Sequence, residues 1–191
     1  EDFYRFYQVT RQAVKDCDAA IPFGAPATYY FLQDGYQNWY IPFLQWSREN
    51  DCAPDFLNFN YYELVFNERD SGQEAFGFTQ SMALRETAEG FDSFVMQALS
   101  ERHMLAADKL PLYLSEWNNT PSQQDLLNDT CFKSCYIAKC ILENYDKLDS
   151  FAYWSLTDWM GEAAQPKDMY FGGLGLFTAN GVPKASYMVF T

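Results

Sequence analysis

In the stretch "PLYLSEWNNT", residues 111–120, Glu116 closes a short apolar run and is followed at once by Trp117, Asn118 and Asn119. A carboxylate beside an aromatic ring and two amides suits nucleophilic or acid/base work in a polar cleft. The same pattern also fits a solvated group at a strand end. Other side chains with chemical potential are few. Glu63 follows two tyrosines and reads as a solvated loop carboxylate. The single histidine, His103, sits beside Arg102 near the end of a predicted helix, where a cation complements the helix dipole.

Five cysteines with no C-x-x-C, alongside one histidine, give neither a complete disulfide framework nor a zinc site. Reduced thiols are the plainer reading, with a cytoplasmic location as the expectation. Cys131 and Cys135 share a helix face at i, i+4 and, with Cys140, read as buried small apolar residues. No metal and no cofactor is expected. "NNT" and "NDT" match the glycosylation pattern, which in a chain so rich in Asn reads as coincidence.

The 191 residues, 48% of them hydrophobic, suffice for one packed core. Twenty-six acidic against 13 basic residues give a formal charge of −13. Without a Lys/Arg cluster, such a chain repels a phosphate backbone and an anionic lipid surface alike, so neither nucleic acid nor membrane is expected as a partner. The 14 Tyr, 17 Phe and 5 Trp supply flat rings suited both to packing and to a sugar face. The chain opens "EDFYRFY", already in helical periodicity, as if a natural N-terminus had been removed.

Positioning elements follow from periodicity. Residues 2–19 carry Phe3, Phe6, Tyr7, Thr10, Val14 and Cys17 on one stripe, which predicts an amphipathic helix. Further helices are predicted over 38–50, 91–103 and 129–146, the last with Asn128 as its cap candidate and an acidic Asp129 suited to its N-terminus. Its neighbour at 91–103 uses Phe91, Phe94, Val95, Ala98 and Leu99 as a face. Between 67 and 90 the sequence is polar and loose. Strands are predicted in "IPFGAPATYY", which Gly24 and Pro26 break so that it ends in a loop, and in "PDFLNFNYYEL", "LPLYLSE" and "SFAYWSL". The Gly-rich tail "FGGLGLFTANGVPKASYMVF" ends in the first turn of another helix.

Alternation of this kind predicts βα units and a parallel sheet, with polar and aromatic residues gathered past the strand ends. Those clusters are Thr28 to Tyr30, Asn60 to Glu63, Glu116 to Asn119, and Trp154 to Glu162. In a (β/α)8 barrel that is the face carrying active sites, but a barrel takes about 250 residues and eight strands. The chain holds about half of one.

The chain resembles the C-terminal half of the catalytic barrel of glycoside hydrolase family 39, the β-xylosidase and α-L-iduronidase family. Five segments match in order: "YRFYQVTRQAVKDCDAAIPFGAPA", "PDFLNFNYYEL", "YLSEWNNT" with its later "NDT", "DSFAYWSLTDWMGE", and "FGGLGLFTANGVPKASYMVF". The resemblance implies an α/β fold, a partial TIM barrel of strands five to eight with their helices, spanning 1–191. It implies Glu116 as the nucleophile of a retaining glycosidase acting by double displacement. It further implies Asn118 near that carboxylate, Tyr62 as a site tyrosine, Trp154 as a platform or wall for the sugar, and Glu162 on the sugar hydroxyls.

Three positions depart from the family pattern: Asn60 where a His is usual, Gly161 where a second Glu is usual, and Pro121 where an aromatic follows the nucleophile. They leave the sugar open. No Asn-Glu-Pro occurs in the sequence, so the resemblance puts the general acid/base upstream of Glu1. This polypeptide alone is therefore expected to show little turnover, lacking a step worth roughly 10²–10⁴-fold. The expected partners are a carbohydrate substrate and the N-terminal half of the barrel. A half barrel with two bare edges is also expected to self-associate or to be marginally stable. The competing class is a carbohydrate-binding remnant of the same fold without turnover.

Overall fold

The computed structural model describes residues 2–29, 39–62, 84–105, 110–120, 125–158 and 169–191. The elements run α1 (Asp2–Cys17), β1 (Thr28–Tyr29), α2 (Ile41–Glu49), β2 (Leu57–Tyr62), α3 (Leu84–Met104), β3 (Leu112–Asn118), α4 (Cys131–Asn144) and β4 (Ser150–Tyr153). Short 3-10 helices occupy Leu126–Asp129 and Ala185–Phe190. The four strands form one sheet in the order β1-β2-β3-β4, every pair parallel. Strands that follow one another in sequence, neighbour one another in space and run parallel need a crossover between them, and α2, α3 and α4 are those crossovers. None of the helices among the described residues is long and apolar enough to cross a membrane.

The helix-facing core is ring upon ring. Leu57, Phe59 and Tyr61 of β2 alternate along the strand into a cluster with Phe43 and Leu44 of α2, and with Phe91, Phe94, Val95 and Ala98 of α3. Leu112, Leu114 and Trp117 of β3 join the same cluster with Tyr136, Ile137 and Cys140 of α4. Edge-to-face and stacked pairs such as Phe59–Phe94 at 5.6 Å and Tyr61–Phe94 at 4.8 Å add specific geometry to the area buried. On α1, Phe3, Tyr4 and Tyr7 meet Phe43 and Trp46 of α2 at centroid distances of 4.8 to 5.7 Å.

Several sequence expectations change here. Phe6, placed on the buried stripe of α1, is 67% exposed, and Cys17 is exposed as well, so the stripe is narrower than its apolar pattern. Among the described residues the first strand is Thr28–Tyr29, beyond Pro26, where the segment is expected to have passed into a loop. The segment still lies along the sheet through Ala25 N–H to the Phe56 carbonyl, 3.0 Å, and Asp55 N–H to the Phe23 carbonyl, 2.8 Å. α3 starts seven residues earlier than predicted, within the polar stretch, at Leu84.

Asn128 does not cap α4. It lies in the 3-10 turn, and Thr130 takes the cap, its Oγ1 accepting from Phe132 N–H at 3.3 Å. Cys131 and Cys135 are exposed on the solvent face of α4, and only Cys140 of the three is buried. The buried stripe of that helix is instead Lys133, Tyr136, Ile137, Cys140 and Asn144.

Candidate active site

Glu116 reaches its place through a break in the strand rhythm. Leu114 pairs with Phe59 of β2 and Glu116 with Asn60, leaving Ser115 as an extra residue between them. On the other side, β3 slips against β4 over the same stretch, between Leu114 and Trp117. In unbroken alternation Glu116 would share the face of Leu112 and Leu114, in the helix-packed core. The β-bulge shifts the count by one: Trp117 takes the core face and Glu116 emerges on the other, as bulges beside active sites do.

Asn60 and Tyr62 alternate with the core residues Phe59 and Tyr61, and so belong to that same opposite face. The Tyr62 hydroxyl donates to Glu116 Oε1. Ser115 Oγ lies 3.0 Å from the Phe59 carbonyl and 2.9 Å from Asn60 Oδ1, which ties the bulge to β2. A tyrosine O–H on one carboxylate oxygen fixes the side chain and leaves Oε2 clear of that bond.

Asn118 is fully buried, and its amide is committed. Nδ2 donates to the Trp154 carbonyl at 2.5 Å and lies 3.2 Å from the Tyr153 hydroxyl, while Oδ1 accepts from Asn119 N–H at 2.8 Å and from Lys133 Nζ. With both ends of its amide used, Asn118 ties the end of β3 to that of β4, and the role its geometry suits is orientation. Trp154, at the end of β4, is 40% exposed, its N–H bonded to the Trp117 carbonyl at 3.1 Å. The structure thus gathers Asn60, Tyr62, Glu116, Asn118 and Trp154 at the C-terminal ends of three adjacent parallel strands. Glu162 lies outside the described residues, as do Glu63, Pro121 and Gly161. His103 is exposed in the last turn of α3.

Below this rim lies a buried ionic cluster that the sequence did not announce. Lys184 Nζ meets Asp129 Oδ1 at 2.6 Å, Asp158 Oδ2 at 2.7 Å and the Gly173 carbonyl at 2.9 Å. Burial pushes the Asp158 carboxyl above its ordinary value, and Lys184 works against that rise. The glycines of "FGGLG" make room for it. A Cβ on Gly173 would sit 2.4 Å from the Asp158 carboxyl, and one on Gly172, at φ +80°, 2.6 Å from the Asp125 backbone. Asp129 accepts from Gly172 N–H at 2.6 Å, and Asn128 donates to the Gly172 carbonyl at 2.8 Å. Asn118 and Asn128, the two sequon asparagines, are both at most 1% exposed.

The comparisons with known proteins decide the family. A model of "Glycosyl hydrolases family 39" matches residues 1–191. The chain belongs to glycosyl hydrolases family 39. Curated relatives in the family include β-xylosidases of Geobacillus stearothermophilus, 28% identical over 192 residues, and of Caldicellulosiruptor saccharolyticus, 29% identical over 193. Each alignment covers 100% of this chain and 36% of the relative, so the family 39 chain spans about a third of the length of the proteins it matches. A monomeric β-xylosidase from Caulobacter crescentus shares the fold, with a TM-score of 0.78 at 22% identity over 98% of this chain and 36% of that one. This family 39 chain thus aligns with part of each of these β-xylosidases.

Proposed function

We propose that residues 1–191 form the C-terminal half of a (β/α)8 catalytic domain, with β1 to β4 serving as barrel strands five to eight. The reaction is retaining hydrolysis of a terminal sugar, β-xylosidase-like, by double displacement. A Glu116 oxygen attacks the anomeric carbon as the bond from that carbon to the leaving oxygen breaks. The proton for the leaving oxygen comes from a carboxylic acid on the preceding part of the barrel. The resulting carboxylate then takes a proton from water, whose oxygen attacks the same carbon and frees Glu116.

What carries this reading is the bulge at Ser115. It turns a carboxylate out of an otherwise apolar strand and onto the hydroxyl of Tyr62. Tyr62 holds Oε1, so Oε2 is the attacking oxygen. Trp154 offers a ring for the sugar, Asn60 replaces a His on the wall, Asn118 orients the strand ends, and Glu162 reaches sugar hydroxyls. Alone, the half domain leaves β1 and β4 as sheet edges, which favours self-association unless the other half covers them.

The test joins the chain to its preceding barrel strands and treats the product with activated 2-deoxy-2-fluoro glycosides of pentoses and hexoses. Label should map to Glu116 and vanish in Glu116→Gln. Label on another residue, or none from any sugar in a folded protein, overturns the nucleophile assignment and favours a binding module without turnover.

A further inference from the structure

Lys133 stands on the apolar stripe of α4, between Thr130 at the cap and Tyr136 one turn on, and is 1% exposed. Taking an ammonium out of water costs several kcal/mol even after relaxation. No ion pair repays that cost among the described residues. The nearby carboxylates of Asp129 and Asp158 are engaged by Lys184 instead. Burial accordingly drives the Lys133 amine well below its ordinary value, opposed by the charges of Asp125, Asp129 and Asp158 and reinforced by that of Lys184. A methionine would fill the same groove without the penalty. What lysine supplies is donors, and two of its hydrogen bonds go to consecutive residues: Nζ donates to Asn118 Oδ1 and to Asn119 Oδ1. The amine also lies 5.9 Å over the Tyr153 ring.

The location of these bonds gives them a consequence. The ladder of β3 skips Ser115 toward β2 and both Ser115 and Glu116 toward β4. The aim of Glu116 therefore depends on anchors at either side of the bulge. Upstream, Leu112 and Leu114 are locked in the core. Downstream, Trp117 is packed and Asn118–Asn119 are held by side-chain bonds that converge on Lys133.

We propose that Lys133 is a positioning residue for the glycosylation step, its amine clamping Asn118 and Asn119 so that β3 presents the Glu116 carboxylate at the required angle. The proposal rests on the reading of Glu116 as nucleophile. Lys133 touches no substrate. It acts through two amides and the strand that carries them.

The experiment measures trapping by an activated 2-deoxy-2-fluoro glycoside in the chain joined to its preceding barrel strands, resolving the inactivation rate constant from the inhibitor's dissociation constant. For Lys133→Met the rate constant is expected to fall about 10- to 100-fold, as misplacement of a reacting group by an ångström does, with the dissociation constant within about twofold. Asn119→Ala removes one prong and should move the rate constant in the same direction by less. An unchanged rate constant overturns the proposal. So does a loss in which rate and binding weaken together with the melting temperature, the signature of a merely structural lysine. If Lys133→Met does not fold, Asn119→Ala decides by the same criteria. If the wild type takes no label at Glu116, the nucleophile reading has failed. The clamp is then judged by amide hydrogen exchange. Faster exchange confined to residues 116–120 in Lys133→Met upholds the clamp, and unchanged exchange refutes it.

Discussion

Around Phe94 the interior is made of rings, with Phe59, Tyr61 and Phe91 at centroid distances of 4.8 to 5.9 Å. Around Lys184 it is made of charges, with Asp129 and Asp158 at 2.6 and 2.7 Å and no solvent on the amine. Both regions are dry, yet they respond to change in opposite ways. A ring cluster is held by area and shape, so a substitute of similar volume recovers most of what is lost. An ion cluster is held by mutual compensation, so removing one member leaves the others buried and unpaired. The first region can be spread over many helices and strands. The second has to be assembled from a few residues at fixed distances, and it ties the tail to the rim of the candidate site.

Lys184→Met should show the largest effect, a loss of about 3 to 5 kcal/mol in urea unfolding, because two buried carboxylates lose their cation. Adding Asp158→Asn to it should restore part of that loss. A double variant no better than the sum of the two singles would mean the cluster is not cooperative. Gly173→Ala tests the same region without changing charge. Its Cβ would stand 2.4 Å from the Asp158 carboxyl, and an overpacking cost of about 1 to 3 kcal/mol is expected. Phe94→Leu probes the ring cluster and should cost less than about 1.5 kcal/mol if surrounding rings close in. A loss as large as that of Lys184→Met would erase the distinction.

The smallest effect belongs to Asp55, a surface counterpart of the buried cluster. Burial raises its carboxyl, but Lys15 at 2.7 Å, the Phe23 N–H at 2.7 Å and Arg11 outweigh that and hold it below its ordinary value. A depressed carboxylate contributes stability above its unfolded value, near about pH 3.9, and loses it as pH falls through the folded one. Thermal melting followed from pH 6 to pH 2 should therefore show a loss below about pH 4 that Asp55→Asn removes. At pH 6 that substitution should cost only about 1 kcal/mol, since the side chain is 31% exposed. A loss of several kcal/mol would place Asp55 with the buried cluster.

The rings made the strands legible. Aromatic density marked β2, the apolar run marked β3, and both appear where their patterns put them, because a strand packed on helices needs those side chains at alternate positions. β1 was misplaced, since Gly24 and Pro26 read as the end of a strand, whereas the described pairing with β2 lies beyond them at Thr28 and Tyr29. α3 was cut short because Arg85, Glu86 and Glu89 look like loop until tertiary packing of Phe91 and Phe94 carries the helix back to Leu84. The cysteines misled for the opposite reason, since spacing put Cys131 and Cys135 on one face but could not say which. The face turned inward begins with Lys133, and a lysine in register with Tyr136, Ile137 and Cys140 was the available signal. Lys184 and Asp158 meet across 26 residues, a pairing that no local pattern encodes.

The bulge at Ser115 also makes β3 a strand of seven residues that advances as six. Parity along the strand is therefore set by whether one residue, Ser115, counts in the pairing. Were Ser115 instead to enter the ladder opposite Asn60, the strand would keep every named side chain of the site while sending Glu116 toward the helices and Trp117 toward the opening. Such a strand would hold the acidic residue, the aromatic and the amides in their written order, with the carboxylate shut in among the rings of the core.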